Sequence, residues 1–261
     1  MKQLLCLLLL LPTLAFTKTI TLEENNTISF NNAFTPMYVA KKQVEAIALC
    51  EKNPKSTINV VLYTPGGSVS AGQRFFDTLN ALPCKFDTIT IFAASMGYQT
   101  VQNLRNRYII PSGILMSHRA FVRGIGGEIG GELDSIIALL KANIKELNVT
   151  ASKRAGISLE QYEKDIADEL WMTAAQAVKS KHADQVVLVK CGSSLSGTKI
   201  ETVANMFGRF NVEFSKCPLV TAPLRVVSGR RGASSTRFTN MYTNPERFVK
   251  PVFDFYNNGR L

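Results

Sequence analysis

Two side chains and one loop in this sequence have the types and spacing for acyl-transfer chemistry. Ser95 sits in Ala94-Ser95-Met96-Gly97, His118 ends Met116-Ser117-His118, and Pro65-Gly66-Gly67 pairs two glycines in one turn. A serine hydroxyl is a weak nucleophile until a base takes its proton, and a neutral imidazole suits that task near pH 7. Paired glycines let the backbone turn sharply and present N–H groups to a developing oxyanion. Histidine is the scarce type: the chain holds only His118 and His182, which excludes a His-rich metal site. His182 lies in Lys179-Ser180-Lys181-His182 and reads as a surface residue. Each string alone has a bland reading, since small-x-Ser-x-Gly often packs a helix on a sheet and a lone His is usually structural. Their placement at three successive strand ends favours the chemical reading.

The elements that must position these groups follow from periodicity. Thr19 to Phe30 alternates apolar and polar residues as short strands do. Tyr38 to Cys50 reads as a helix closed by Asn53-Pro54. Ile58–Tyr63 is a β-branched strand ending at the glycine pair, with a helix after it through Phe75, Phe76 and Leu79. Thr88–Phe92 is a second strand that gives way to a helix at Ser95. Two short strands, Tyr108–Ile110 and Ile114–Met116, flank Pro111-Ser112-Gly113. A glycine-rich segment (Gly124 to Gly131) precedes an amphipathic helix with Leu133, Ile136, Ile137, Leu140, Ile144 and Leu147 on one face. Gly156 is its natural C-cap, and Ser158-Leu159-Glu160-Gln161 reads as a capping box. Alternating strand and helix imply an α/β fold with a largely parallel sheet.

Composition bounds the rest. The 261 residues suffice for one large domain, and 46% hydrophobic with 19% charged residues excludes wholesale disorder. The net charge of +10 is uneven: residues 1–190 carry +4, while residues 191–261 carry 10 Lys+Arg against 4 Asp+Glu. No nucleic-acid motif accompanies this excess, so no nucleic-acid partner is expected. Lys2 precedes the apolar run Leu4–Phe16, whose 13 residues fall short of the ~20 that span a bilayer but fit a secretory signal. Cleavage after Ala15 or Thr17 gives a signal peptide at 1–17 and a periplasmic or secreted protein without a stable transmembrane segment; an uncleaved anchor is the alternative. Past Cys6, four cysteines remain, compatible with two disulfides in any of three pairings, of which Cys50–Cys84 and Cys191–Cys217 are favoured. No CxxC or Cys–His spacing points to zinc. Beyond about residue 190 the pattern loosens into an irregular basic extension, 191–261.

Four ordered strings, TPGGSVSAGQRFFDTL (64–79), AASMG (93–97), RYIIPSGILMSHRA (107–120) and ISLEQYEKDIADELWMTAAQAV (157–178), resemble the ClpP-like serine peptidases. The resemblance covers roughly Ile20 to Val187 and implies the ClpP/crotonase-type fold over a peptidase domain at 18–190. It places the nucleophile on Ser95, the general base on His118 and the oxyanion amides on Gly67 and Met96. The family's orienting Asp falls on Glu169, with Asp168 beside it; glutamate can hold an imidazole, but its extra methylene needs a backbone shift or another rotamer. The glycine-rich 124–131 segment corresponds to the family's handle and is somewhat longer. The resemblance further implies peptide or unfolded-protein substrates, no cofactor or metal, and a homo-oligomer, with a heptameric ring as the family form. The chain lacks GxxxxGK[ST], so ATP hydrolysis by that route is not expected. Three other readings stand beside the peptidase: a catalytically silent scaffold, a crotonase-like acyl-CoA enzyme, and a Ser–Lys peptidase resembling signal-peptide peptidases.

Overall fold

The computed structural model describes residues 18–121, 128, 130–205 and 208–229. The signal segment 1–17, glycines 124, 126 and 127 of the handle, and the tail 230–261 lie outside the described residues. In chain order the elements are β1 (Thr19–Leu22), β2 (Thr27–Phe30), α1 (Pro36–Lys52), β3 (Thr57–Thr64), α2 (Val69–Ala81), β4 (Lys85–Ala94), α3 (Met96–Asn103) and β5 (Arg107–Ser117). They continue with α4 (Glu132–Ala155), α5 (Leu159–Asp165), β6 (Leu170–Thr173), α6 (Ala174–Lys179), β7 (Gln185–Val186), β8 (Leu188–Cys191), β9 (Thr198–Asn205), β10 (Gly208–Ser215) and β11 (Arg225–Gly229).

The main sheet runs β2-β3-β4-β5-β6, with β7 also on β5. β2 through β5 are mutually parallel, and β6 returns antiparallel to β5. Parallel order brings the carboxyl ends of β3, β4 and β5 to one edge, which is where the glycine pair, Ser95 and His118 sit. Sequence-local caps start the helices. Thr35 caps α1 ahead of Pro36, Ser68 caps α2, and Gly156 closes α4 in the left-handed conformation. Ser158 caps α5 at Gln161 N–H, but the Gln161 amide turns forward to Asp165, so the reciprocal half of the expected box is missing there. The complete capping box is at Thr173 and Gln176.

One face of the sheet packs on the helices through Phe30, Phe34, Phe75, Leu79, Tyr98 and Leu115, all buried. The opposite face carries a second cluster: Val61, Ile89 and Tyr108 from the sheet, covered by Ile20 and Leu22 of β1 and by Val187 and Leu195. β1 is held there by its parallel pairing with β8. Burial of such side chains contributes roughly 1.5–3 kcal/mol each. The region that reads as an irregular extension contains, among its described residues, a three-stranded antiparallel sheet in the order β11-β10-β9. Leu195 and Leu219 of that region lie against the second cluster, and a disulfide joins Cys191 at the end of β8 to Cys217 after β10. The other bridge is Cys50–Cys84, from α1 to the residue before β4. Of the three possible pairings, the favoured one is present.

Two further expectations are corrected. The segment 107–117 is one strand, not two around a turn. Its register jumps from Ile109 opposite Thr90 to Ile114 opposite Phe92, so residues 110–113 bulge outward and the chain resumes its direction. His182 is no surface residue: it is 3% exposed, with a 2.6 Å hydrogen bond between Nδ1 and the Tyr98 hydroxyl. The chain turns inward at Lys181, whose φ is +60°, and the His182 backbone is fixed by Ala177 O and by the Gln102 amide. The polar Lys-Ser-Lys string hides this, because a single left-handed residue redirects the chain after it.

Burial first, and then the nearby Arg107 charge, lower the His182 pKa to about 4, against a slight opposing pull from Asp165. A histidine depressed in the folded state adds stability that is fully present above its ordinary pKa, near 6.5, and is lost as pH falls toward 4. Denaturant unfolding should therefore show stability declining between pH 6.5 and 4 by an amount on the order of 3 kcal/mol. His182→Gln, whose amide can still meet Tyr98, should remove most of that slope; an unchanged slope would refute the assignment.

Candidate active site

The turn at Ser95 is the local feature from which the site is built. Ser95 follows the last residue of β4 and precedes the first turn of α3, with φ +55° and ψ −116°. A side chain larger than glycine in that region carries strain of about 1–3 kcal/mol, which persists only where surroundings over-determine it. Here they do. Ser95 N–H donates to Met116 O at 2.9 Å, locking the turn to the end of β5, and Gln99 N–H donates to Ser95 O at 3.1 Å as the first helical bond of α3. The result is a hydroxyl lifted above the sheet edge at a helix N-terminus.

His118 follows β5 directly, and its Nε2 lies 2.8 Å from Ser95 Oγ. That is hydrogen-bonding distance for a base drawing the serine proton. The imidazole is half-buried, and its ring centroid is 6.0 Å from that of Phe121. The two halves of the pair therefore come from adjacent parallel strands, joined through the Met116 carbonyl.

The glycine loop closes the site from the β3 side. Gly66 has φ +94°, and a Cβ there would stand 2.6 Å from Ser95 Cβ and 2.9 Å from Met96 N, so only glycine permits this approach. The loop is fixed from behind by a short bridge: Phe34 N–H donates to Gly66 O at 2.8 Å and Ser68 N–H to Phe34 O at 2.9 Å. Phe34 is itself anchored by stacking on Phe30 at 4.2 Å. Flanked by these two bonds, the intervening Gly67 N–H is left without an acceptor among the described residues. Met96 N–H, at the first position of α3, is likewise left over by helix geometry. Unpaired backbone amides of this kind are the donors an oxyanion needs. Sequence reasoning missed Phe34, because nothing near Asn32-Ala33-Phe34 signals a bridge to a loop thirty residues on.

Both carboxylates considered for the third position are exposed. The β5–β6 ladder ends with Met116↔Trp171 and Ser117↔Leu170, so His118 on one strand and Glu169 and Asp168 on the other lie just beyond its end. Among the described residues no hydrogen bond joins His118 to either carboxylate. Glu169, with φ +68°, instead accepts from the Trp171 indole N–H through Oε2 at 3.0 Å. That indole contact, too, carried no sequence signal. His182 lies in the core with Tyr98 and Tyr162, outside this constellation. Among the described residues no group of His, Cys, Asp and Glu is arranged to hold a metal ion.

Comparison with known proteins identifies the family. A family model described as Clp protease matches residues 15–190. The ATP-dependent Clp protease proteolytic subunit 2 of Nocardia farcinica is 32% identical over 147 residues, covering 55% of this chain and 71% of that protein. The ATP-dependent Clp protease proteolytic subunit of Porphyromonas gingivalis is 32% identical over 151 residues, covering 56% of this chain and 66% of that protein. With the match spanning the whole sheet and every strand end that carries Ser95, His118 and the glycine pair, this chain belongs to the Clp protease family.

Proposed function

We propose that this chain is an exported serine endopeptidase acting through Ser95, His118 and Glu169, with Gly67 and Met96 as oxyanion donors. The observation that carries the reading is the 2.8 Å contact between Ser95 Oγ and His118 Nε2. Ser95 Oγ attacks the scissile carbonyl carbon while His118 Nε2 takes its proton. The carbonyl oxygen becomes an oxyanion facing the Gly67 and Met96 N–H groups, which stabilise charge that the ground state lacks. The imidazolium then protonates the leaving amine, and an acyl ester remains on Ser95. A water molecule, deprotonated by His118, hydrolyses it. Glu169, at the position where the family resemblance puts the orienting acid, is the group assigned to hold the imidazolium and balance its charge.

The substrates proposed are peptides and loosely folded proteins, cut without an ATP-driven partner. Export is supported by the leader-like first 17 residues together with two disulfides, which belong to oxidising compartments. Self-association is supported by α4. Leu133, Ile136, Ile137, Leu140 and Ile144 form its apolar face, yet all remain partly exposed, and Leu139 beside them is 62% exposed. Only from Leu147 onward does the helix enter the core. A second copy of the chain is the proposed cover, with a ring of the family kind as the assembled form.

Labelling, turnover and assembly measurements test this reading. A fluorophosphonate should label the wild type and leave Ser95→Ala untouched, and peptide turnover should fall about 10⁴-fold or more in Ser95→Ala and His118→Ala. A wild type that resists labelling where a related peptidase labels would indicate a silent scaffold, and activity surviving His118→Ala would indicate a Ser–Lys mechanism. Glu169→Gln should cost roughly 10²–10⁴ in kcat; full activity would remove Glu169 from the triad and leave the rest standing. Gly66→Ala, which forces a methyl against Ser95, should lower kcat by about 10² or more through misplacement of the nucleophile, measured alongside circular dichroism to confirm the fold. For assembly, Leu139→Glu should shift the protein toward monomer in light scattering, and an unaltered mass would exclude that face.

A further inference from the structure

Trp171 is the chain's only tryptophan, and its single polar side-chain atom is bonded to the carboxylate assigned to orient the catalytic base. The indole cannot easily move. Its ring lies against Phe92 at 6.4 Å and 36°, and Phe92 against Tyr63 at 6.1 Å, forming an aromatic row across β3, β4 and β6. Its backbone is locked opposite Met116, two residues before His118. Glu169 has the opposite character: exposed, at the end of the ladder, with a left-handed backbone, and with Oε1 making no hydrogen bond among the described residues. A donor held by its strand thus engages the carboxylate that the peptidase reading assigns to the imidazole.

We propose that Trp171 is the resting partner of Glu169, and that the carboxylate passes from the indole to His118 when the imidazole takes up the Ser95 proton. The driving force is the change in donor charge. An indole N–H and a neutral imidazole N–H are both neutral donors and compete on similar terms. An imidazolium N–H makes a charge-assisted bond roughly twice as strong. The exchange therefore favours His118 only once proton transfer has occurred, which places the Glu169 interaction in the transition state and not in the ground state. Trp171 is on this account a positioning residue that acts through Glu169, and it sets a small barrier that the proton transfer must overcome. The exchange rests on the peptidase reading proposed for Ser95 and His118.

Because Trp171 is alone of its kind, its indole N–H gives one resonance in a ¹⁵N-labelled sample of the full chain. After modification of Ser95 by a fluorophosphonate, that resonance should move to the position it holds in unmodified Glu169→Ala, where the bond is absent. A resonance that stays in place, or that moves by the same amount in Glu169→Ala, overturns the exchange. Trp171→Phe keeps an aromatic ring against Phe92 and deletes only the donor. It should raise kcat about threefold to tenfold, the contribution of one neutral hydrogen bond, with KM unchanged. The rise should vanish in the Glu169→Gln background. An unchanged or lowered kcat in Trp171→Phe, or the same rise without Glu169, overturns the proposal. Failure of the wild type to label at Ser95 overturns the peptidase reading itself, whereas labelling with a stationary indole overturns the exchange alone.

Discussion

The backbone of Ser95 is held in a conformation it would not adopt alone, and the site depends on how it is held. Its N–H is tied to the Met116 carbonyl, so Ser95 and the strand end carrying His118 share one hydrogen bond. Gly66 packs against its Cβ from the other side, where a larger residue would clash. Relaxing the turn would separate serine from histidine. The strain stored there is small beside the packing that enforces it, since α3 is buried along most of its length and β4 is buried on both faces.

That packing depends on covering both sides of a parallel sheet. Helices cover one side in the ordinary way of α/β folds. The other is sealed by β1, β8 and residues past 190, which the Cys191–Cys217 bridge holds down. A disulfide closing a loop of 26 residues restricts the unfolded chain by about 3–4 kcal/mol. The basic region beyond the peptidase-like stretch is therefore, in its described part, a contributor to the sheet's second core as well as an appended sheet of its own.

Much of the fold and half of the site were legible in the residues. The strand at Ile58–Tyr63, the close of α1 at Asn53 and the Gly156 cap depend on neighbours a few positions away, and each formed as expected. The failures had a different source. The bulge at residues 110–113 arises because the strand continues past a Pro-Ser-Gly that would also suit a turn, and only pairing with β4 decides between them. His182 went inward although its neighbours are polar, because Tyr98 and Gln102 await it from a helix some eighty residues earlier.

The sequence alone determined the chemistry on offer: one serine at a strand-to-helix turn, two histidines, a glycine pair, and a carboxylate at the matching place after α5. Those are properties of residue type and local order. Only the tertiary structure decided which atoms meet. It brought the His118 imidazole to the Ser95 hydroxyl, took one cysteine pairing among three, and made the Trp171 indole the partner of Glu169. Such contacts join segments far apart in the chain, and their geometry is set by strand register and side-chain packing, which no window of sequence contains.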